Sequence, residues 1–336
     1  MAVLRLLIRR LFFALPILFG ILLLTFLLVR LSGNDPAGVL AGPTATGEDV
    51  IRITKQLQLD KPVWQQFIAY VNTLAHGDLG RSWLSDKPVV RELLIRLPAT
   101  LEMVIGGGIL GALIAIPLGL RAALRVNGIL DHSSRILSLI GFGAPTIFLG
   151  LLLIYVFFYL FGWAPPPMGR LDLLTTAPPT ITGSYLIDAL LTGNWEAARS
   201  AAARLVLPCV CVATVYAAPL IAQTRAVAMD VLASDYARYA RACGLPPRDI
   251  RRMVWRNTAV PVITYGATEL VALFGAAAVL ELIFSWGGVS QFGLMAILKG
   301  DFAVVQGFTL LMSLIAMAIF AVADIVVMSL DPRARK

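Results

Sequence analysis

The chain has 336 residues, of which 58% are hydrophobic and 14% are charged, and its formal net charge is +8. Soluble proteins carry about 25% charged residues, so the composition excludes a soluble fold and indicates a helical membrane protein with several spans. In such a protein, excess Lys and Arg mark the loops that stay in the cytoplasm, so the charge does not indicate nucleic-acid binding.

Apolar blocks of about 20 residues, the length that crosses a bilayer as a helix, recur along the chain. They predict an all-α protein with six membrane spans, at 11–31, 99–120, 136–162, 203–224, 259–285 and 303–328. The first span follows Arg5, Arg9 and Arg10, as a signal peptide would. Its apolar run is too long for a signal peptide and no small-residue cleavage site follows directly, so we predict a retained anchor.

The loop between the first two spans contains a predicted amphipathic helix at 62–75, with a shorter helix at 48–56. Asp60 and Pro62 suit the start of the longer helix. Its apolar side chains recur at helical spacing, at Val63, Phe67, Tyr70, Val71 and Leu74. The helix could lie on the membrane surface or on the other helices, or it could form a docking surface for an external partner.

Glycine is dense within the spans, in IGGGILGA, LIGFGAP and ALFGAAAV. Small residues let helices approach closely in lipid. Pro117, Pro145 and Pro219 lie inside spans, where each removes a backbone donor and can bend the helix. Bent, closely packed helices are compatible with a transporter.

Acidic residues in or near the spans are few: Glu102, Glu269, Glu281 and Asp324. A charge at the bilayer centre costs about 2.5–3.5 kcal/mol on insertion scales, so it is sheltered or functional. Glu269 is the deepest and shares a helical stripe with Tyr265 and Leu273. It either makes a structural hydrogen bond between helices or lines a watery path together with Tyr265. For Glu102 and Glu281 we expect the outer interface, and for Asp324 the inner one, where solvation suffices.

A strongly basic loop, 225–258, separates the fourth and fifth spans. Ser234 or Asp235 can cap a helix that covers Tyr236–Cys243. Gly244 suits a left-handed position that ends this helix, and Pro246 or Pro247 suits the first turn of a new one. The loop is therefore predicted to be a helix, a sharp turn and a second helix.

Four arginines share one face of the second helix: Arg248, Arg251, Arg252 and Arg256. Contact with anionic lipid head groups would explain the charge. It would not explain the Gly-Leu-Pro-Pro elbow or the small side chains of Ala237, Ala240 and Ala242. Small side chains on an exposed helix suit insertion into a groove, so we favour a docking element for a cytoplasmic partner.

The distribution of Lys and Arg among the short loops predicts the orientation of the chain. One side holds three residues before the first span, three in the loop after the second, seven in the basic loop and three at the C-terminus. The other side holds Arg170, Arg199 and Lys299. Both termini are therefore predicted to be cytoplasmic.

The sequence lacks the common catalytic and metal-binding patterns. It contains no phosphate-binding G-x-x-x-x-G-K-[ST] loop, no H-E-x-x-H and no G-x-S-x-G. Cys209 and Cys211 lie in an apolar run and Cys243 in the basic loop, while the two histidines lie in different loops, so neither a metal site nor a disulfide framework is predicted. An intramembrane enzyme or a self-contained channel remains the alternative from another class.

The stretch DYARYARACGLPPRDIRRMVWRNTAVPVIT resembles the cytoplasmic "EAA" loop of ABC-importer permeases, especially the dipeptide/oligopeptide/nickel subfamily. The matching positions in this loop include Asp235, Tyr236, Ala240, Arg241, Ala242, Gly244, Leu245, Arg256, Asn257 and Pro261. Further matches are GNDPAGVLAG (33–42), LDKPVWQQFIAYV (59–71), HGDLGRSW (76–83), LPATLEM (97–103), LDHSSRILSLIGFGAP (130–145), TGSYLIDALL (182–191) and DFAVVQG (301–307).

The resemblance implies a type I importer permease in a bacterial inner membrane, with an anchor and outer loop at 1–95 and a permease core at 96–328. It implies a second homologous permease, two cytoplasmic ATPases, an extracytoplasmic solute-binding protein and a peptide cargo as partners. The chain itself would need no cofactor and hydrolyse no ATP. The helix before the EAA glycine would couple the ATPases to the membrane helices. By position, that role falls to Asp235, Tyr236, Ala240, Arg241, Ala242 and Gly244.

Departures from the family pattern leave the cargo open. Gly287 stands where FSWPGLG has proline, Phe302-Ala303 where Tyr-Pro is common, and Glu269 where a neutral residue is frequent. We therefore expect a di- or oligopeptide importer, with nickel, glutathione or another small solute as the alternative.

Overall fold

The computed structural model describes residues 2–31, 46–56, 60–83 and 85–330, and these are largely helical. Across these ranges no β-strand forms, apart from an isolated bridge between Arg81 and Pro88. The helices are α1 (Ala2–Leu31), α2 (Gly47–Gln56), α3 (Val63–Ala75), α4 (Val89–Leu124), α5 (Ile129–Gly143), α6 (Thr146–Leu153), α7 (Tyr185–Leu191), α8 (Trp195–Ala233), α9 (Asp235–Ala242), α10 (Pro247–Ile283), α11 (Val289–Lys299) and α12 (Phe302–Leu330). A π-helical turn, Ile154–Leu160, continues α6.

Among the described residues, four helices are long and apolar enough to cross a membrane: α4, α8, α10 and α12. They contain the predicted spans 99–120, 203–224, 259–285 and 303–328, with the end of the third extending past Ile283. The 36 residues of α4 span about 54 Å at 1.5 Å per residue, well beyond a hydrocarbon core of about 30 Å. The helical backbone hydrogen bonds thus continue into the polar flanking residues. Hydropathy alone does not predict this extension of the helix. The predicted first span lies in α1, whose described apolar stretch is Phe12–Leu28.

The predicted span 136–162 is broken at Pro145, one of the prolines expected to bend their helices. The chain bends by 108° between α5 and the helical segment Thr146–Leu160. Ala144 is extended at the end of α5, and Pro145 is the N-cap of α6. Because Pro145 has no N–H to donate and disfavours helical geometry in the residue before it, the ladder ends here. If α5 and the segment Thr146–Leu160 are counted as one broken span, the described residues contain five candidate spans.

The chain divides into two compact units. The larger comprises Met1–Arg5, Leu97–Gln291 and Ile315–Lys336, and the smaller Leu6–Arg96 and Phe292–Leu314. In the larger unit, α8 packs against α5, α6, α7, α9 and α10.

Small residues make these helix contacts possible. A Cβ atom on Gly141 of α5 would overlap the Cβ of Ala218 on α8, and one on Gly107 of α4 would lie 2.5 Å from the Val212 side chain. Gly107 and Gly141 are therefore packing positions, as the sequence predicts, whereas a Cβ on Gly143 or Gly275 would meet nothing within 4 Å.

The smaller unit contains an aromatic cluster that joins α1 and α3. The Phe67 ring makes edge contacts with Phe19 and Phe26 of α1, and Tyr70 stacks on Phe26 at 5.9 Å. The predicted amphipathic helix therefore exists, and part of its apolar stripe packs on the chain's own first helix.

Two sequence motifs also meet in the smaller unit. The Ser82 hydroxyl of HGDLGRSW donates a 2.6 Å hydrogen bond to Asp301 of DFAVVQG, and Trp83 contacts the Phe302 ring. The matching stretch 33–42 lies outside the described residues.

Candidate functional site

The basic loop folds as two helices joined by an elbow. The first, α9, has Ser234 at its N-cap position and Asp235 in its first turn. The Ser234 side chain does not cap α9, because its hydroxyl donates to the carbonyl of Val231 at the end of α8. Ser234 thus ties α9 to the preceding helix.

Gly244 ends α9 in the left-handed region predicted for it, with φ +72°. Its N–H donates to the Arg241 carbonyl at 3.0 Å, and the Leu245 N–H reaches back to Ala240 at 3.1 Å. This pair of bonds is the Schellman arrangement, which satisfies carbonyls that the end of a helix leaves open. Pro246 is the N-cap of α10 and Pro247 its first residue, as the Pro-Pro pair predicts.

Two of the three alanines of α9 point into the protein, which corrects the expectation of an exposed small face, while Ala242 is exposed as expected. Ala237 is 0% and Ala240 7% exposed, because α9 packs on α8 and α10. The exposed surface consists of larger side chains, with Tyr236 at 46% and Tyr239 at 73%. Alternation of small and large residues predicts two faces but not which face the rest of the chain will cover.

A hydrophobic core lies beside this elbow. Ala123 of α4, Ala228 of α8 and Val254 of α10 form it, with Leu232 and Ile250 packed against it. The first turns of α10 are thereby fixed to the ends of two long helices, while Arg248, Arg251, Arg252 and Arg256 remain exposed.

A buried ion cluster links α5 to α8. Its member on α8 is Arg225, nine residues before Ser234 in the chain. Asp131 is fully buried and accepts hydrogen bonds from Arg225 of α8, the closest at 2.5 Å, and from Arg135 at 2.8 Å. The N–H of Asn127 adds a third donor. Sequence reasoning missed this cluster. The spacing of Asp131 and Arg135, four residues apart, was available as a signal, but the pairing with Arg225 depends on tertiary contact.

The intramembrane pair Glu269 and Tyr265 lies on one stripe of α10, and both side chains are half-buried. Tyr265 and Glu269 lie four residues apart, one turn along the helix. On α8, the Tyr216 hydroxyl donates to the Gly266 carbonyl at 2.9 Å. Glu269 therefore lies beside the contact between α8 and α10, an arrangement compatible with both the structural and the pathway interpretation.

The expectation that simple solvation accommodates Glu102 and Glu281 is wrong. Glu281 is fully buried and accepts from the Thr100 hydroxyl and from the Gln291 N–H at the start of α11. Glu102 accepts from the Ser184 hydroxyl and the Leu186 N–H, and its carboxylate lies 3.9 Å from Arg170. Each acid thus connects segments far apart in the sequence.

Comparison with known proteins places these features in a family. Residues 115–336 match the family described as "Binding-protein-dependent transport system inner membrane component", and residues 3–104 match the N-terminal region of the same kind of component. The chain is 39% identical over 315 residues to the "Probable D,D-dipeptide transport system permease protein DdpB" of Escherichia coli K12, covering 94% of this chain and 92% of the relative.

Two further relatives extend the range of named cargo. The "Di/tripeptide transport system permease protein DppB" of Pseudomonas aeruginosa UCBPP-PA14 is 36% identical, over 97% of each chain. The "Glutathione transport system permease protein GsiC" of Escherichia coli O6:H1 is 30% identical, over 98% of each chain. Full-length similarity to permeases excludes the enzyme alternative. The chain belongs to the family of binding-protein-dependent transport system inner membrane components, and is a multi-pass membrane permease subunit of an importer rather than an enzyme.

Proposed function

We propose that this permease moves di- or tripeptides inward, driven by two separate ATPase subunits and supplied by an extracytoplasmic solute-binding protein. The proposal includes a second homologous permease, six spans and cytoplasmic termini. The relatives named for peptide transport support the cargo, and the excess of arginines in the loops around α9 supports the orientation. Glutathione, itself a small peptide, is the second candidate because a full-length relative is named for it.

The loop 225–258 is proposed as the coupling element, with α9 docking into the ATPase. The observation that carries this proposal is the division of α9 into a seated and an exposed face. Ala237 and Ala240 fix it to α8 and α10, while Tyr236 and Tyr239 face outward. Tyrosines are enriched in the centres of protein interfaces. A displacement of α9 by a partner bound to its outer face would be transmitted to α10 through the Gly244 elbow. It would be transmitted to α8 through the packed alanines.

The elbow can be tested by two substitutions at Gly244. Proline requires φ near −65° and removes the N–H that bonds Arg241, whereas asparagine keeps the N–H and tolerates a left-handed backbone. We expect Gly244→Pro to insert into the membrane and to lose ATP-driven peptide uptake in proteoliposomes. Gly244→Asn should retain most uptake. Normal uptake by the proline variant would refute the coupling role.

The cargo is tested by uptake of a labelled dipeptide into cells that hold the assembled system, with unlabelled tripeptide, glutathione or nickel as competitors. We expect di- and tripeptides to compete. Competition by glutathione or nickel alone would replace the peptide assignment while leaving the permease assignment intact.

The pathway role of Glu269 has its own test. Glu269→Gln keeps the shape of the side chain and removes its charge. If the carboxylate lines the path, the variant should transport cationic peptides less well relative to anionic ones. An unchanged ratio would leave Glu269 as a structural contact between helices.

A further inference from the structure

A groove of about 570 Å³ lies beside the coupling loop. Its walls come from the C-terminal end of α4, the start of α5 and the first turns of α10, all within the larger unit. Three arginines line it, Arg121, Arg125 and Arg251, together with leucine and isoleucine side chains.

The charge of this groove is not neutralised by the part of the chain that the structure describes. None of the three guanidinium groups has a carboxylate partner there, although eight other ion pairs are formed elsewhere. Asp131, which follows the groove-lining Leu130, is fully buried and already bonded to Arg225 and Arg135. Three arginines therefore converge on one space without a counter-charge.

The rest of the groove lining is apolar. Leu120 and Ile250 rest on the core formed by Ala123, Ala228 and Val254, and Leu124 lies one turn beyond Leu120. Ile129, which precedes the groove-lining Leu130, is 86% exposed. A space lined by both arginine and apolar side chains matches the boundary between lipid head groups and acyl chains.

We propose that this groove binds one anionic phospholipid. Its phosphate accepts hydrogen bonds from Arg121, Arg125 and Arg251, whose planar guanidinium groups suit phosphate oxygens. An acyl chain lies along Leu120, Leu124 and Ile250. The proposal rests on the proposed orientation, which places the groove at the cytoplasmic leaflet, where anionic lipids attract basic segments. A bound lipid would join the end of α4 to the beginning of α10, directly after the elbow.

An acidic segment of the partner ATPase is the competing occupant. The apolar lining favours the lipid, because a carboxylate side chain would leave Leu120, Leu124 and Ile250 uncovered. A soluble phosphate compound would likewise contact only the arginines. The experiment therefore uses substitutions and a competitor whose effects differ for a lipid, an ATPase segment and a soluble phosphate compound.

The test uses the assembled permease–ATPase complex in nanodiscs of phosphatidylcholine with phosphatidylglycerol, and native mass spectrometry counts the phosphatidylglycerol retained. The variant is Arg121→Gln combined with Arg251→Gln. The matched control is Arg248→Gln combined with Arg252→Gln, which removes equal charge from the coupling loop at positions outside the groove. We expect retention to fall about tenfold or more in the groove variant and to persist in the control. Leu124→Asn should also reduce retention without altering any charge.

Three results would overturn the proposal. Equal retention in the groove variant and the control would show that the arginines act only through general surface charge. Loss of the ATPase from the groove variant, with phosphatidylglycerol retained, would assign the groove to the protein partner. Displacement of phosphatidylglycerol by glycerol phosphate at similar concentration would show that the acyl chain contributes nothing. Failure of the lipid proposal does not require loss of the ATPase. It can therefore be distinguished from failure of the proposed coupling role.

Discussion

Glu281 shows how a single buried acid can organise one end of the larger unit. Its carboxylate accepts from the Thr100 hydroxyl and, at 2.6 Å, from the Gln291 N–H, while the Thr100 hydroxyl accepts from the Val289 N–H at 2.8 Å. A Cβ on Gly288 would overlap both the Glu281 and the Thr100 side chains, so the site has no spare volume. The acid therefore fixes the start of α11 to α4 and α10.

Replacing Glu281 by alanine should destabilise the protein. The substitution leaves Thr100 and Gln291 donors buried without an acceptor, at a cost of about 1–3 kcal/mol for each group. We expect a clear fall in the apparent unfolding temperature of the detergent-solubilised protein, followed by tryptophan fluorescence. Glu281→Gln keeps one acceptor oxygen and the shape of the side chain, so its effect should be smaller. Equal losses in the two variants would contradict this role, because they would show that retaining the side-chain volume and one acceptor oxygen gives no protection.

Asp188 stabilises the loop before α7 through hydrogen bonds to one carboxylate. Burial alone would raise the pKa of this carboxyl, but donors from Thr182, Ile181 and Gly183 lower the pKa below its usual range. The carboxyl thus stays ionised to lower pH in the folded state than in the unfolded one. Its contribution to stability is complete above the unfolded pKa of about 3.9 and is lost as the pH falls through the folded value.

The sign of this linkage gives a pH-dependent prediction. Asp188→Asn should lower the apparent unfolding temperature at pH 7, and its difference from the parent protein should narrow below about pH 4. The measurement is thermal unfolding of the purified protein at several pH values. The exposed Asp230, replaced by Asn, serves as control and should show little difference at any pH. A gap for Asp188→Asn that stays constant from pH 7 to pH 3 would contradict the assigned role.

At the scale of helices, the contact between α5 and α8 depends on the absence of one side chain. A Cβ on Gly141 would overlap Ala218, whereas a Cβ on Gly143, two residues later, would meet nothing within 4 Å. Gly141→Ala should push the helices apart at a cost of about 1–3 kcal/mol, the range for overpacked cores. Gly143→Ala is the matched control and should be nearly neutral. Thermal unfolding of both variants in detergent tests this, and a similar effect from each would argue against close packing at Gly141.

The same scale shows which elements local sequence can predict. The elbow at Gly244 and the restart at Pro247 follow from backbone chemistry confined to a few residues, so the pattern predicts both correctly. The burial of Ala237 and the bonds of Glu281 depend on helices distant in the chain, and local patterns do not contain that information. The bend after α5 lies between these cases. Pro145 signals that a kink is possible, but the local sequence does not predict its size of 108°.

Across the whole molecule, composition predicts the class and hydropathy places most of the spans. Long apolar blocks can be satisfied in a membrane only as helices, because each backbone group must find its partner within the segment. Hydropathy carries less information where polar flanks continue a helix, as in α4, or where a proline divides an apolar block, as at Pro145. Orientation is a property of the chain in a membrane and needs a direct measurement.

The three cysteines supply a native reporter for that measurement. Cys209 and Cys211 are buried within α8, and the Cys209 thiol contacts the Met103 carbonyl at 3.7 Å. Cys243 is exposed at the end of α9. A bulky, membrane-impermeant maleimide should therefore modify Cys243 and leave the pair in α8 unmodified.

Labelling from the two sides of the membrane should separate α9 from the loop before α7. We expect a membrane-impermeant maleimide to label Cys243 in inside-out vesicles but not in intact spheroplasts, because arginine-rich loops stay in the cytoplasm. In a Cys243→Ser background, Leu174→Cys should show the reverse pattern, since Leu174 is 95% exposed in the loop predicted to lie outside.

Adding the ATPase subunits to stripped vesicles should slow modification of Cys243, because the proposed docking surface adjoins it. Labelling of Cys243 in intact spheroplasts would invert the topology and remove α9 from contact with any cytoplasmic ATPase. If Cys243 is labelled only from the cytoplasmic side but the ATPase subunits do not slow its modification, the proposed topology stands and docking at α9 is refuted.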